Sequence, residues 1–379
     1  MDWQRRIGLK TRRMRSREGA SGAPFSATSA FAPLTPERAP RRTAEPAALR
    51  EPTDCGLPAE PSLINLARNP VPSGAVVNYV PGYDGKPMRF ARWEATRGSR
   101  RGTVCVFPGR SEFIEKYFEV VADLRRRGFA VVVTDWRGQG GSARALPDRA
   151  KGHIRNFAEY ERDMARLMKE VVLPDCPPPY YALAHSMGGN IMLHHATQKN
   201  SWFDRIVLSA PMVALAAERM PVPETIARRF ARTATMVGAG TAYVPGGKPE
   251  PFEFGPFEEN PLTSDQARYE RNAFLSRSAV ELTLGSPTNA WLAAAFRSME
   301  RLQRVGFARE IRVPMLIMAA GEDRIVDTRR IEELSNRLKI GAAVVIPRAQ
   351  HELLQETDDV RLRFWAAFDA YLGVDERID

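Results

Sequence analysis

Cysteine is scarce in this sequence: only Cys55, Cys105 and Cys176 occur in 379 residues. They are scattered and lack the close pairs typical of metal sites, so no metal centre is predicted and a reducing compartment, the cytoplasm, is expected. Long apolar runs are also missing, since none approaches the roughly 18 residues that a membrane-spanning helix needs. What is left is an ordinary globular composition, with 26% charged and 44% hydrophobic residues.

Acidic residues are fewer than basic residues, with 45 Asp or Glu against 55 Lys or Arg, so the formal net charge is +10 at pH 7. Residues 1–50 contain eleven Lys or Arg and four Asp or Glu, so +7 of this charge belongs to that segment. The rest of the chain is nearly balanced, which argues against a nucleic-acid partner. Residues 1–65 are rich in Arg, Ala, Pro and Ser without apolar periodicity, and they are predicted to form a disordered basic extension, with ordered structure from near Val76.

From Val76 onward, short apolar runs alternate with amphipathic segments. A hairpin with an Asp-Gly turn is predicted over residues 76–93, and the six strands predicted after it are 103–107, 130–134, 180–184, 205–209, 313–319 and 342–346. The helices predicted between them are 113–127, 157–172, 188–198, 328–339 and 358–372. This alternation predicts an α/β fold with a mostly parallel, doubly wound sheet.

One long interval, residues 212–305, interrupts the alternation and separates two parts of the core, 66–211 and 306–379. It contains no convincing strand, and residues 224–233 and 289–305 have helical patterns. An insertion above the carboxyl ends of the strands lies over the place where open α/β sheets bind ligands. We therefore predict a helical cap whose apolar side lines a pocket or faces a lipid surface; the alternative is an inert decoration.

The strand-like run ending at Ala184 leads at once into Ser186, and a helical pattern follows. This layout predicts a nucleophile elbow, a sharp strand-to-helix turn that holds a serine hydroxyl clear of the sheet. The usual pattern is G-x-S-x-G, and Ala184 occupies its first position. Ser186 is therefore the candidate nucleophile, which at pH 7 requires a base and a carboxylate that orients the base.

The sequence has five histidines, so the search for the base is short. His185 adjoins Ser186 and cannot turn its ring onto that hydroxyl, while the histidines at 194 and 195 lie on the following helix. His153 lies in a loop before the serine. His351 follows the late strand 342–346, where a loop can bring it over the elbow, and it is the predicted base.

Asp323 follows the strand 313–319, at the edge of the sheet where catalytic groups collect. It is the predicted carboxylate, with Asp327 in reserve because that residue has the position of a helix N-cap. Negative charge on the reacting carbonyl oxygen requires two N–H donors. The candidates are the backbone N–H groups of Met187, after the nucleophile, and of Arg110, since Pro108 in the same loop has no N–H.

The motifs around these residues resemble those of one branch of the α/β-hydrolases, which contains bacterial lysophospholipases, monoglyceride lipases and serine aminopeptidase-like hydrolases. The resemblance covers Val76 to the C-terminus and rests on FPGRSEF at 107–113, DWRGQGGS at 135–142, AHSMGG at 184–189, LSAPM at 208–212, GEDRIVD at 321–327 and His351, with NPLTSD at 260–265 and GSPTNAWL at 285–292 in the cap. Two residues depart from the pattern of this branch: Ala184 occupies the position of a glycine, and Pro108 occupies a position where many members have histidine.

This resemblance implies a cofactor-independent serine carboxylester hydrolase that acts through an acyl-enzyme, with lysophospholipid as the favoured substrate. Monoacylglycerol or a general ester is the next choice, and an amide-cleaving aminopeptidase or a non-catalytic binding protein are the remaining alternatives. Arg110, Arg228 and Arg229 are candidates for holding a phosphate head group. Peripheral contact with the inner membrane surface is expected through the cap or the basic extension.

Overall fold

The computed structural model describes residues 60–96, 101–220 and 222–374. Most of the predicted basic extension lies outside these residues, and so does the prediction that it is disordered. Within the described residues, ordered structure begins before Val76. The Ser62 carbonyl accepts a hydrogen bond from Arg89 Nη1 at 2.9 Å, and the Ile64 N–H donates to Glu115 Oε1 at 3.2 Å. The folded chain therefore begins before the expected position.

The strands of the described residues are β1 Val76–Pro81, β2 Pro87–Trp93, β3 Thr103–Phe107, β4 Ala130–Thr134, β5 Tyr180–His185, β6 Arg205–Ser209, β7 Met315–Ala320 and β8 Gly341–Ile346. The sequence predicts all of them within two residues at either end. Continuous apolar runs predict the inner strands well because both faces of a parallel sheet are covered. In β3, β4 and β7 every residue is buried.

The helices of the described residues are α1 Phe118–Arg126, α2 Ala158–Leu167, α3 Leu173–Asp175, α4 Met187–His195, α5 Glu224–Met236, α6 Gln266–Ser278, α7 Asn289–Leu302, α8 Phe307–Glu310, α9 Thr328–Ser335 and α10 Asp358–Leu372. A 3₁₀ turn precedes α1, and a π-helical turn over Met168–Val172 joins α2 to α3. Helix α6 is absent from the sequence prediction because its apolar residues follow no helical stripe.

The sheet has the strand order β1-β2-β4-β3-β5-β6-β7-β8. Strand β2 is antiparallel to both β1 and β4, and the remaining pairs are parallel. After β3 the chain adds β4 on one side of it, and it then crosses over to add β5 on the other side. The topological switch point therefore lies between β3 and β5, where Phe107 lies beside Ala184. The carboxyl ends of β3, β5, β7 and β8 meet at one edge of the sheet, which is where such folds bind ligands.

Each face of the sheet carries its own apolar core. One core contains α2, α4, α7 and the inward side of α9, and the other contains α1 and α10. Two-sided burial of this kind confirms the predicted doubly wound α/β class. Within the described ranges, no helix combines the length and the apolar character required to cross a bilayer.

The interval between β6 and β7 is helical, as predicted, and contains α5, α6, α7 and the short α8. Helix α7 packs directly against α4, because Ala294, Ala295 and Met299 belong to the core that α4 lines. Helix α6 begins at Gln266 and is capped by Asp265, whose carboxylate accepts the Arg268 N–H at 2.8 Å. The end of the predicted cap is thus continuous with the core, and α6 also contacts it, because Arg268 pairs with Glu119 of α1.

Candidate active site

Ser186 lies at the sharp turn between β5 and α4, with φ 50° and ψ −111°. A non-glycine residue adopts positive φ at a cost of roughly 1–3 kcal/mol, which tight surroundings must sustain. The backbone packs closely at Gly188, where a Cβ would collide with the Phe107 carbonyl oxygen and lie 2.7 Å from the Pro108 carbonyl oxygen. Ala184, where the usual pattern has glycine, is fully buried in β5, and the sheet accommodates its methyl group.

Met187 is the first residue of α4, so its N–H belongs to the first turn, where no intrahelical acceptor exists. The positive end of the helix dipole is at the same place and favours negative charge there. Ser186 is held from the other side by β6, because its N–H donates to the Ser209 carbonyl at 3.0 Å. The elbow thus presents a hydroxyl and a free N–H side by side.

The loop that follows β3 lies against the elbow, where a Cβ on Gly109 would be 3.3 Å from Ser186 Cβ, and it carries Arg110. Its preceding residue, Gly109, donates its N–H to the Glu112 carboxylate and accepts from Gln139 Nε2 at 2.8 Å. The Pro108 carbonyl accepts from Trp136 Nε1 at 2.8 Å. Since these bonds use both polar groups of Gly109, the direction of the following peptide, which carries the Arg110 N–H, is fixed.

The Arg110 side chain crosses from this loop to the cap. Its guanidinium donates to the Gly285 carbonyl at 2.5 Å and to Ser111 Oγ at 2.9 Å, and it lies 5.2 Å from the ring centre of Trp291. Burial lowers the pKa of this guanidinium to about 10. Within the described residues, its Nε has no hydrogen-bond partner, and the hydrogen bonds of its other nitrogens go to a carbonyl and a hydroxyl rather than to a carboxylate.

Asp323 follows β7, and its side chain is inaccessible to solvent. One carboxylate oxygen accepts the N–H groups of Ile325 at 2.8 Å and Val326 at 2.9 Å, which leaves the other oxygen for the base. Burial alone would raise its pKa, but His351 and these backbone donors outweigh burial and lower it. The reserve candidate, Asp327, instead caps α9 by accepting the N–H groups of Arg329 and Arg330.

His351 follows β8 and lies between the other two side chains. Its Nδ1 is 2.8 Å from Asp323 Oδ2, and its Nε2 is 2.9 Å from Ser186 Oγ. With the Nδ1 proton directed to the carboxylate, Nε2 can accept from the serine hydroxyl. Burial would lower the pKa of the imidazole, but the Asp323 charge outweighs burial and raises it.

The other four histidines each have a different partner. His185 bonds the Ser209 carbonyl, its ring centre lies 4.8 Å from that of His351 with the two rings tilted, and burial lowers its pKa to about 4. His153, His194 and His195 contact the hydroxyl groups of Thr288, Ser298 and Ser201, respectively. Within the described residues, none of these four rings is hydrogen-bonded to Ser186.

The sequence analysis missed a group of buried polar residues around the site. Glu112 and Gln139 lie within the FPGRSEF and DWRGQGGS motifs. These motifs could therefore have indicated that both side chains bond to Gly109. Glu253 of the cap forms a buried ion pair with Lys116 of the core, beside Glu352, whose pKa burial raises to about 7. Glu356 is a buried residue that accepts the N–H of Gln350, next to His351. No sequence pattern singles it out, because a single acidic residue after a loop is ordinary.

Cap and core together cover the reacting groups, so that Ser186 is 8% exposed and His351 is 4% exposed. A covered site excludes water and strengthens each electrostatic interaction inside it. Among the described residues, no cluster of three or more His, Cys, Asp or Glu side chains is placed to hold a metal ion. The arrangement brings a hydroxyl, an imidazole and a carboxylate into one hydrogen-bonded row.

The fold and this row of side chains are those of the α/β-hydrolases. More narrowly, the chain belongs to the family described as serine aminopeptidase, S33, which it matches over residues 98–358. The family and the relatives below make it a carboxylic ester hydrolase, which confirms the resemblance seen in the sequence motifs.

The chain is 33% identical to lysophospholipase L2 of Escherichia coli K12 over 296 residues, covering 74% of this chain and 82% of that protein. It is 30% identical to the probable lysophospholipase L2 of Haemophilus influenzae over 266 residues, covering 70% and 82% of the two chains. Among solved structures, a soluble variant of monoglyceride lipase from Saccharomyces cerevisiae matches with a TM-score of 0.64 and 19% identity, covering 80% and 97%. That likeness concerns the fold.

Proposed function

We propose that this protein is a lysophospholipase whose nucleophile, base and carboxylate are Ser186, His351 and Asp323. The observation that carries the proposal is the hydrogen-bonded row, with 2.9 Å between His351 Nε2 and Ser186 Oγ and 2.8 Å between His351 Nδ1 and Asp323 Oδ2. Both distances lie within the range over which a positioned base takes a proton. The two lysophospholipase L2 relatives support the choice of substrate.

In the first half of the reaction, Ser186 Oγ attacks the ester carbonyl carbon while His351 Nε2 takes the hydroxyl proton. The carbonyl oxygen becomes an oxyanion, which the N–H groups of Met187 and Arg110 stabilise. The carbon–oxygen bond to the glycerol then breaks, and His351 returns the proton to the leaving alcohol. Asp323 remains ionised and stabilises the imidazolium that forms in between.

In the second half, the acyl chain is held as an ester of Ser186. His351 takes a proton from a water molecule, whose oxygen attacks the acyl carbon. The new tetrahedral intermediate collapses, Ser186 Oγ recovers its proton from His351, and a fatty acid leaves. No step requires a redox change or a cofactor.

The phosphate of the head group would be held by the Arg110 guanidinium. A desolvated cation without an acidic partner favours an anionic ligand. Arg228, a second sequence candidate, is partly exposed and lies 3.6 Å from Glu300, and Arg229 is exposed. The balance of contacts therefore favours Arg110 over both cap arginines.

Amide cleavage is less well supported, although the family description names an aminopeptidase. Gripping a free substrate amine requires an available carboxylate in the cap. Glu253, a buried cap carboxylate at this site, already pairs with Lys116. Comparing a p-nitrophenyl ester with an aminoacyl anilide separates the two activities, and we expect hydrolysis of the ester.

Peripheral membrane contact would be made by α5. Its Ala231 and Ala234 are buried, whereas Ile226 and Phe230 are 55% and 47% exposed. Exposed arginines on the same helix add positive charge, and an apolar stripe beside basic residues is typical of helices that lie on anionic membranes. Such contact would bring the site to its lipid substrate in the cytoplasm, at the inner membrane surface.

A substrate panel tests the proposal: purified protein is assayed with lysophosphatidylcholine, a monoglyceride and a short-chain ester. We expect the lysophospholipid to be hydrolysed with the highest kcat/KM, and Ser186→Ala to abolish all three activities. Arg110→Gln should lower lysophospholipid hydrolysis about tenfold more than monoglyceride hydrolysis, since a charge-assisted bond is lost. Equal rates on both lipids, unchanged in Arg110→Gln, would reject the lysophospholipase assignment.

A further inference from the structure

The loop that carries His351 leaves β8, which is the last strand in the sheet order. Strand β8 pairs with β7 on one side only, and its residues alternate between exposed and half-buried until Ile346. An edge strand of this kind supplies fewer packing contacts than an inner strand does. The position of His351 must therefore depend on what else the loop touches.

Glu356, five residues after His351, is completely buried. Its Oε1 accepts the N–H of Gln350 at 2.8 Å and the N–H of Ser264 at 3.1 Å. Its Oε2 accepts the Ser264 hydroxyl at 2.5 Å and the N–H of Thr357 at 3.0 Å. One carboxylate thus joins the residue before His351 to residue 264 of the cap.

Two more hydrogen bonds join the same pieces of chain. The Glu352 N–H donates to the Leu262 carbonyl at 2.7 Å, and the Thr263 hydroxyl donates to the Gln355 carbonyl at 2.8 Å. The cap residues 262–264 therefore lie along the loop on both sides of His351. These residues belong to the NPLTSD motif, which the proposed chemistry itself does not use.

We propose that Glu356 is a positioning residue for His351 and that, through Ser264, it makes the cap segment 260–265 part of the base's support. A buried carboxylate that accepts several N–H groups holds them in a fixed geometry. A misplacement of about 1 Å in a reacting group can lower a rate about 100-fold. The inference rests on the proposed role of His351 and adds a link between cap and catalysis.

The decisive substitution is Glu356→Gln, which keeps the shape of the side chain but places an amide NH₂ against groups that are themselves donors. We expect kcat for a soluble p-nitrophenyl ester to fall about 10- to 100-fold with KM nearly unchanged. The second-order rate of labelling by a fluorophosphonate should fall by the same factor, because labelling also requires His351 to activate Ser186.

Ser264→Ala is the second variant, and it removes only the hydroxyl bond from the cap. It should fold even if Glu356→Gln does not, and we expect kcat and the labelling rate to fall about three- to tenfold. Tyr243→Phe is the matched control, because it removes one hydroxyl bond between cap and core, to Asp148 at 3.4 Å, and this partner is not part of the His351 loop. Its kcat and labelling rate should equal those of the wild type.

The outcomes are distinguishable. Unchanged kcat and labelling in folded Glu356→Gln, or in Ser264→Ala if Glu356→Gln does not fold, would overturn the inference, as would an effect confined to KM. Loss of kcat in Tyr243→Phe equal to that in Ser264→Ala would also overturn it, because any cap contact would then suffice. Absence of fluorophosphonate labelling in the wild type would instead reject the proposed function.

Discussion

The nucleophile and the base are held in different ways. Ser186 is fixed by backbone packing between inner strands, where Gly188 lies against the chain at Phe107 and the Ser186 N–H bonds to β6. The support of His351 comes from polar side chains at the edge of the sheet, and one of these bonds joins residues 92 positions apart. The nucleophile is thus encoded by a local pattern of small residues, whereas the base depends on distant contacts.

The largest expected effect concerns the group that orients the base. Asp323→Asn should lower kcat about 10⁴-fold, because an amide at this position favours the wrong imidazole tautomer. Asp327→Asn is the control, since asparagine also caps a helix, and its kcat should be unchanged. Steady-state kinetics with a soluble ester measures both. A larger loss in Asp327→Asn than in Asp323→Asn would exchange the two assignments.

The local support of the nucleophile can be tested by changing two small residues. Gly188→Ala should lower the free energy of unfolding by about 1–3 kcal/mol and reduce kcat, since the added methyl group meets the backbone at Phe107 and Pro108. Ala184→Gly should cost only about 0.5–1 kcal/mol, the usual effect of glycine in a strand. Urea denaturation measures both changes, and equal losses would contradict the packing argument.

The polar support of the base predicts a pH dependence. Burial favours the neutral imidazole, but Asp323 outweighs it and raises the pKa of His351, and the nearby Glu352 and Glu112 act in the same direction. Only neutral His351 can accept a proton, so kcat/KM should fall as the pH drops through a pKa above the ordinary value of 6.5. A profile recorded from about pH 5 to about pH 9 measures it.

Two variants interpret that profile. In Asp323→Asn the fall in kcat/KM should move to lower pH, because the charge that raises the pKa of His351 is gone. Glu352 needs a separate control, since burial raises its own pKa to about 7. In Glu352→Gln the fall should persist with a modest shift to lower pH; its disappearance would assign the titration to Glu352.

The substitution expected to affect the catalytic groups least lies outside the site, on the cap surface. Ile226→Ser combined with Phe230→Ser should weaken binding to vesicles of anionic phospholipid about 10- to 100-fold, since exposed apolar side chains no longer enter the interface. Leu362→Ser, at an apolar residue of α10 that is 69% exposed, is the matched control and should bind as the wild type does. Vesicle co-sedimentation measures the difference. Equal weakening in both variants would exclude α5 as the contact.

The contrast between the two supports also explains what the sequence could predict. Strands such as β3 and β4 are continuous apolar runs, and the placement of Ser186, Asp323 and His351 after strands follows from the topology of parallel sheets. Helix α6 was missed because its apolar residues form no helical stripe and several of its contacts are ion pairs, such as Arg268 with Glu119 at 2.7 Å. Glu356 was missed because its partners, three backbone N–H groups and the Ser264 hydroxyl, include groups distant in sequence that only the folded chain brings together.

The covalent role of Ser186 is the central claim, and peptide mapping by mass spectrometry after fluorophosphonate labelling tests it most directly. We predict one adduct, on the peptide that contains Ser186, and no adduct in Ser186→Ala. Labelling should also be slow in Asp323→Asn, because the base is then misdirected. An adduct on another serine, or none while ester hydrolysis continues in Ser186→Ala, would contradict the account.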